Sequence, residues 1–154
     1  MPIDLAFSLP MLVPRAIAWA EAQSQLVLTH GASPKPPALA RARSVGVVNP
    51  NQIRVRVVDR LPLPDDPLLQ AAAIQTGLLG PNMVGLTLGY AVLVCRGHEE
   101  NPRLLSHEFR HVHQYEAAGS IASFLPAYLQ QIVAHGYTDA PSEIDARAHE
   151  RDGV

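Results

Sequence analysis

One stretch of the chain groups residue types that can do chemistry together: His107-Glu108-Phe109-Arg110-His111. It reads H-E-x-x-H inside a segment with a helical pattern. On a helix, side chains four apart project from one face, one turn from each other. Two imidazoles so placed can share a metal ion, at roughly 2.0–2.1 Å per nitrogen for zinc. Glu108 follows the first His, so its carboxylate can sit beside the metal without binding it. That is the place of a general base acting on a metal-bound water. The chemistry expected is zinc-dependent (Zn2+) hydrolysis, with a peptide or protein as substrate.

Two His are not a complete site, because catalytic zinc takes three protein ligands and keeps one position open. The metzincin pattern would place Gly and then His after the motif, where this chain has Gln114 and Ala117. The next option is a carboxylate on a later helix. Glu143 fits, at the start of Pro141-Ser142-Glu143-Ile144-Asp145-Ala146-Arg147, with the small Ala146 one turn on. Around these, Gln114 can support the site by hydrogen bonding or lie on the surface. His135 can orient a ligand or stabilise an oxyanion, although a helix C-terminus also attracts His. Tyr137 can serve as an oxyanion donor or pack in the core. Asp145 can hold a ligand His in its tautomer or face water. His113, about 200° around the helix from His111, points away from the ligands.

Other elements must position these groups. The motif helix is expected from Asn101-Pro102, a cap followed by proline in the first turn, to Ala118 before Gly119. Its core stripe is Leu105, Phe109 and Val112. Leu86 to Cys95 is apolar on both faces and reads as one covered strand. Ile53 to Val58 alternates and reads as a half-exposed, antiparallel strand. Helices are expected over about 9–29, 37–43 and 68–75, the last capped by Asp65 or Asp66. After the motif, a helix begins near Ser120, is broken or restarted by Pro126 and ends at His135-Gly136. The last helix is expected to take its cap from Asp139 or Ser142.

Length and composition narrow the alternatives. At 154 residues with 47% hydrophobic and 17% charged residues, the chain can bury one core and is not disordered. Basic residues are few and scattered at net charge −2, which argues against nucleic-acid binding. Four of seven His fall between His98 and His113. The single Cys95 excludes a disulfide framework and a cysteine zinc knuckle. Asp4 stands where a signal peptide would carry basic residues, so a cytoplasmic location is expected. The uncharged stretch from Pro67 to Cys95 is interrupted by Gly and Pro, and is read as buried rather than membrane-spanning.

Three stretches in order carry a family resemblance: Gly85-Leu-Thr-Leu-Gly89, His107-Glu-Phe-Arg-His111-Val-His-Gln114, and Gly136-Tyr-Thr-Asp-Ala-Pro-Ser-Glu143-Ile-Asp-Ala-Arg147. Over roughly residues 82–147 the chain resembles the small gluzincin-type metallopeptidase domains called minigluzincins. Ala140 departs from a pattern in which Asn often precedes the Pro. The resemblance implies zinc held by His107, His111 and Glu143, and Glu108 as catalytic base. It makes Gly85, Leu86, Thr87, Leu88 and Gly89 the edge strand against which a substrate peptide lies. The fold it implies is α+β: a single zincin-like domain over 1–154, with helices and a strand in 1–80 and the metal-binding core in 82–147. Its short, mostly antiparallel sheet packs on the motif helix, and a following helix carries the third ligand. Three other readings stay open: a deformylase-like hydrolase using Cys95 with the two His, a non-catalytic zinc-stabilised module that offers an edge strand to a protein partner, and a metal-free helical packing domain that takes up no zinc.

Overall fold

The structure, a computed structural model, describes residues 2–152. It is an α+β fold in which six helices surround a three-stranded sheet. In chain order these are α1 (Leu5–His30), α2 (Pro36–Ser44), β1 (Arg54–Val58), α3 (Pro67–Gln75), β2 (Gly85–Leu88), β3 (Ala91–Cys95), α4 (Pro102–Ala118), α5 (Ile121–His135) and α6 (Pro141–Ala148). Among the described residues, no helix is long and apolar enough to cross a membrane.

The strand order is β1-β3-β2. β3 is central and all five of its residues are buried, as expected of a strand apolar on both faces. The 86–95 stretch is, however, two strands and not one. Gly89, at φ +69°, turns the chain within two residues, so Leu88 pairs with Ala91 and the strands run antiparallel. Glycine takes this left-handed conformation without a Cβ penalty, which is why the break falls there. Gly89 thus belongs to the turn, and only Gly85–Leu88 form the edge strand. β1 also departs from expectation: it pairs with β3 in parallel, from Arg54↔Ala91 to Val58↔Cys95. The chain between β1 and β3 crosses over through α3 and reaches β3 from β2, and that return path sets the direction. Alternation alone reports one exposed face and carries no information about strand direction.

Side-chain period two splits the sheet into two faces. Ala91 and Leu93 join Leu12, Ala16 and Ala20 of α1, Leu69 of α3 and Leu125 and Ile132 of α5. Val92 and Val94 join Ala42 of α2 and Leu105, Phe109 and Val112 of α4. The motif helix therefore packs its expected stripe on one face of the sheet. On the same face β2 presents Gly85 and Thr87, whose neighbours across the ladder are Val94 and Val92.

Helix ends follow local chemistry in most places. Asn101 Oδ1 accepts from the backbone N–H of Arg103 and Leu104, and Pro102 opens α4. Asp66 does the same for α3, accepting from Leu68 and Leu69. Pro126 does not break α5; the helix runs through it to His135. Proline there sits in the second turn, where one missing N–H leaves the later ladder intact. The cap of α6 is neither Asp139 nor Ser142 but Ala140, which has no capping side chain. Gln131 of α5 supplies the missing acceptor, its Oε1 lying 2.9 Å from the Ser142 N–H. A cap borrowed from a neighbouring helix satisfies one orphan donor and fixes the approach of α6 to α5.

Candidate metal centre

Helical spacing on α4 puts the His107 and His111 rings edge to face with centroids 4.9 Å apart. α6 packs against α4 and brings the Glu143 carboxylate between them. Glu143 Oε1 is 3.1 Å from His107 Nε2, and Oε2 is 3.0 Å from His111 Nε2. Side chains of the three residues offer one donor atom each within 4.8 Å of one another. Glu143 is 1% exposed, an unusual place for a carboxylate unless charge partners or a metal hold it. Ala146, fully buried one turn on, gives α4 the close approach.

The donors suit a metal on three counts. Two imidazoles and one carboxylate are a known catalytic zinc set. Second, the three donor atoms lie within 4.8 Å of one another, so side-chain shifts on the order of an ångström would bring them to the roughly 3.3 Å separation of a tetrahedral site with bonds of about 2.0–2.1 Å. Finally, the other ring nitrogens are already engaged. His111 Nδ1 lies 2.8 Å from Gln114 Oε1, and His107 Nδ1 lies 2.9 Å from Glu150 Oε2. Both rings thus direct Nε2 to the shared point.

Glu108 lines the same clefts as the three donors and is buried. Its Oε1 accepts from Thr87 Oγ1 at 2.8 Å. Thr87 is on β2, so the edge strand positions the carboxylate next to the donor cluster. Gly85 is part of the same fit. A Cβ built there would lie 2.9 Å from Glu108 Oε2 and 3.0 Å from Leu104 Cδ1. Gly85→Ala should therefore displace the Glu108 carboxylate; if the chain is a zinc hydrolase with Glu108 as base, kcat should fall at least about 10-fold with zinc affinity kept within a few-fold, since a 1 Å misplacement can cost about 100-fold. Steady-state kinetics beside a zinc-competition titration checks this; unchanged kcat would show that the close approach is irrelevant.

Electrostatics tie both imidazoles to the Glu143 carboxylate. Burial opposes a charged His107 ring, but the Glu143 hydrogen bond and the Glu108 and Glu143 charges outweigh it and raise its pKa to about 9. His111 is likewise raised against the effect of burial, chiefly by Glu143. Burial would raise Glu143, yet hydrogen bonds to both imidazoles hold its carboxyl well below the usual range. A metal must displace the His107 proton at any pH below about 9. Zinc affinity should accordingly climb as pH rises towards that value. Competition titrations across about three pH units below it check the slope; a flat profile would contradict the coupling.

No protein-family model, curated protein or solved structure matches the chain. The geometry of the site is thus the ground for reading it.

Of the other residues expected here, Gln114 supports His111 directly. Asp145 does not touch a ligand His: it accepts from Gln114 Nε2 at 2.9 Å and from Arg110 Nε at 2.8 Å, so it acts through Gln114. Asp145 is four residues before His149 and on the far side of Gln114, which occupies the nitrogen it was expected to hold. His135 is exposed at the end of α5 and lines neither cleft, because the helix terminus turns it to solvent. Tyr137 lines both clefts, and its phenol is pushed up by burial and by the nearby Glu143 charge. His113 points away, with Nδ1 2.9 Å from the Gly46 carbonyl oxygen. Cys95 is outside the donor group, its Sγ 3.9 Å from the Met83 carbonyl.

Sequence reasoning missed two residues and undervalued a third. Tyr128 donates to Glu143 Oε2 at 2.6 Å in a buried position. Its signal was a lone hydroxyl on the Leu125–Ile132 buried stripe of α5. Glu150 lies beyond the last helix, and nothing local marks it. Thr87 was read as part of a substrate edge, not as the partner of the base.

The two clefts differ in character. One, of about 120 Å3, is lined by Leu12, Trp19, Leu69, Leu86, Leu125 and other apolar side chains, together with Glu108, His111 and Glu143. The other, of about 220 Å3, is bordered by Asn82, Arg103, His107 and Glu150. Glu108, Gly85, Met83 and Tyr137 border both.

Proposed function

We propose that the chain is a zinc-dependent metallopeptidase of gluzincin type. The observation that carries this reading is the convergence of His107, His111 and Glu143 within 4.8 Å, with Glu108 lining the same clefts and hydrogen-bonded to Thr87. A zinc ion, when bound, supplies Lewis acidity to the substrate carbonyl and lowers the pKa of water. His107, His111 and Glu143 would hold it, with Tyr128 and Gln114 fixing the last two. Glu108 takes the proton of the attacking water and delivers it to the leaving amine. β2, one of the two outer strands of the sheet, offers backbone groups for an extended substrate. Tyr137, which lines both clefts, would donate to the developing oxyanion.

The apolar cleft fits a bulky apolar side chain beside the scissile bond. Its 120 Å3 compares with the cavity of about 150 Å3 that accommodates benzene in an engineered core. The test is hydrolysis of a mixed peptide library by the zinc-loaded protein, with Glu108→Gln as the blank. Cleavage next to large apolar residues, absent from the blank, supports the reading. Zinc uptake with no cleavage of any peptide would instead support a non-catalytic, zinc-stabilised module. The Cys95 alternative predicts zinc lost in Cys95→Ser and kept in Glu143→Ala; the position of the thiol argues for the opposite result.

A further inference from the structure

After α6 the chain doubles back along α4. The Arg151 N–H donates to Ser106 Oγ at 2.8 Å. Glu150 then uses both carboxylate oxygens: Oε1 accepts from Arg103 Nη2 at 2.9 Å, and Oε2 lies 2.9 Å from His107 Nδ1. Arg103 also donates to Asp152 at 2.9 Å through Nη1. Arg103 and His107 are one turn apart on α4, so a single carboxylate spans them. The two ligand imidazoles are therefore held unequally. His111 leans on the neutral Gln114 amide and His107 on an anion.

We infer that Glu150 is a positioning residue for the metal centre: the 149–152 segment straps a carboxylate onto His107 and sets how tightly the ring binds metal. The inference rests on the metal-centre reading above. A carboxylate on Nδ1–H fixes the tautomer that leaves the Nε2 lone pair free, holds the ring plane, and makes the ring a stronger donor. Arg103 holds that carboxylate in place from the far side. Neither Glu150 nor Arg103 belongs to the H-E-x-x-H segment, and Glu150 touches only one ligand, so its removal leaves all three donors in the chain.

The experiment is zinc affinity by competition with a chromophoric chelator, on the full chain at fixed pH. Zinc uptake by the unaltered chain and its loss in His107→Ala are scored first, because they test the metal centre itself. Glu150→Ala should then weaken zinc binding about 10–100-fold. Glu150→Gln should fall between, since its amide oxygen still accepts the Nδ1 proton but carries no charge. Arg103→Met, which leaves Glu150 in the chain, should weaken binding by less than Glu150→Ala. Asp59→Asn, which removes an exposed partner of Arg96, should change nothing. Affinity within twofold of the unaltered chain in Glu150→Ala overturns the strap. If the unaltered chain takes up no zinc, the metal-centre reading falls, and the strap is read in the metal-free protein from the low-field Nδ1–H proton resonance of His107. Its loss in Glu150→Ala supports the hydrogen bond as the ring's anchor, and its persistence at unchanged shift overturns it.

Discussion

Glu108→Gln should leave zinc bound and abolish turnover. The carboxylate is not among the three converging donors, and its Oε1 is already engaged by Thr87 at 2.8 Å. The amide is nearly isosteric and can still accept from Thr87, so the packing of β2 on α4 is kept. What it cannot do is take a proton. General-base assistance contributes about 10²–10⁴-fold, and kcat should fall by at least that range with zinc affinity unchanged within a few-fold. Steady-state hydrolysis of a cleaved peptide, beside metal analysis of the same sample, checks both halves. Undiminished turnover would remove Glu108 from the reaction. Loss of zinc with turnover would instead show that the carboxylate is a ligand.

Glu143→Ala should be more damaging, and in two measurable ways. The carboxylate is 1% exposed and is shared by His107, His111 and the Tyr128 hydroxyl. Without metal, truncation leaves two imidazoles and a phenol buried around an empty space. Removing one partner from a buried charged group costs about 3–5 kcal/mol. For a chain of this size that corresponds to a Tm lower by roughly 6–20 °C. With metal, one of three protein donors is gone. Since partners of ligands alone are worth 10–100-fold, the loss of affinity should exceed about 100-fold. Calorimetry of the metal-free protein and a chelator competition give the two numbers. A variant that melts like the unaltered chain and still holds zinc would show that the buried carboxylate is neither ligand nor anchor.

These two residues also mark how far local sequence reaches. Glu108 and the His pair were legible because helical periodicity turns a spacing of four into adjacency, and Asn101, Pro102 and Gly119 bound that helix. The fold class and the α4 core stripe followed in the same way, from period and capping. Glu143 was legible only as a carboxylate in the right place along the chain. That it turns inward to meet both Nε2 atoms depends on α6 packing against α4 and on a cap borrowed from Gln131, neither written in the 141–147 segment.

By itself, then, the sequence determined which short segments become helices and which residues share a face, because those follow from bonds between residues three or four apart. The tertiary structure alone decided that the 86–95 run is a hairpin, that β1 runs parallel to β3, that Thr87 meets Glu108, and that Tyr128 and Glu150 close around the donors. Apart from the hairpin, whose partners stand 3 to 9 residues apart, each is a contact across 15 to 43 residues or a choice of strand direction. Such choices are fixed by how whole faces bury one another, and a local pattern carries no record of which face its partner will present.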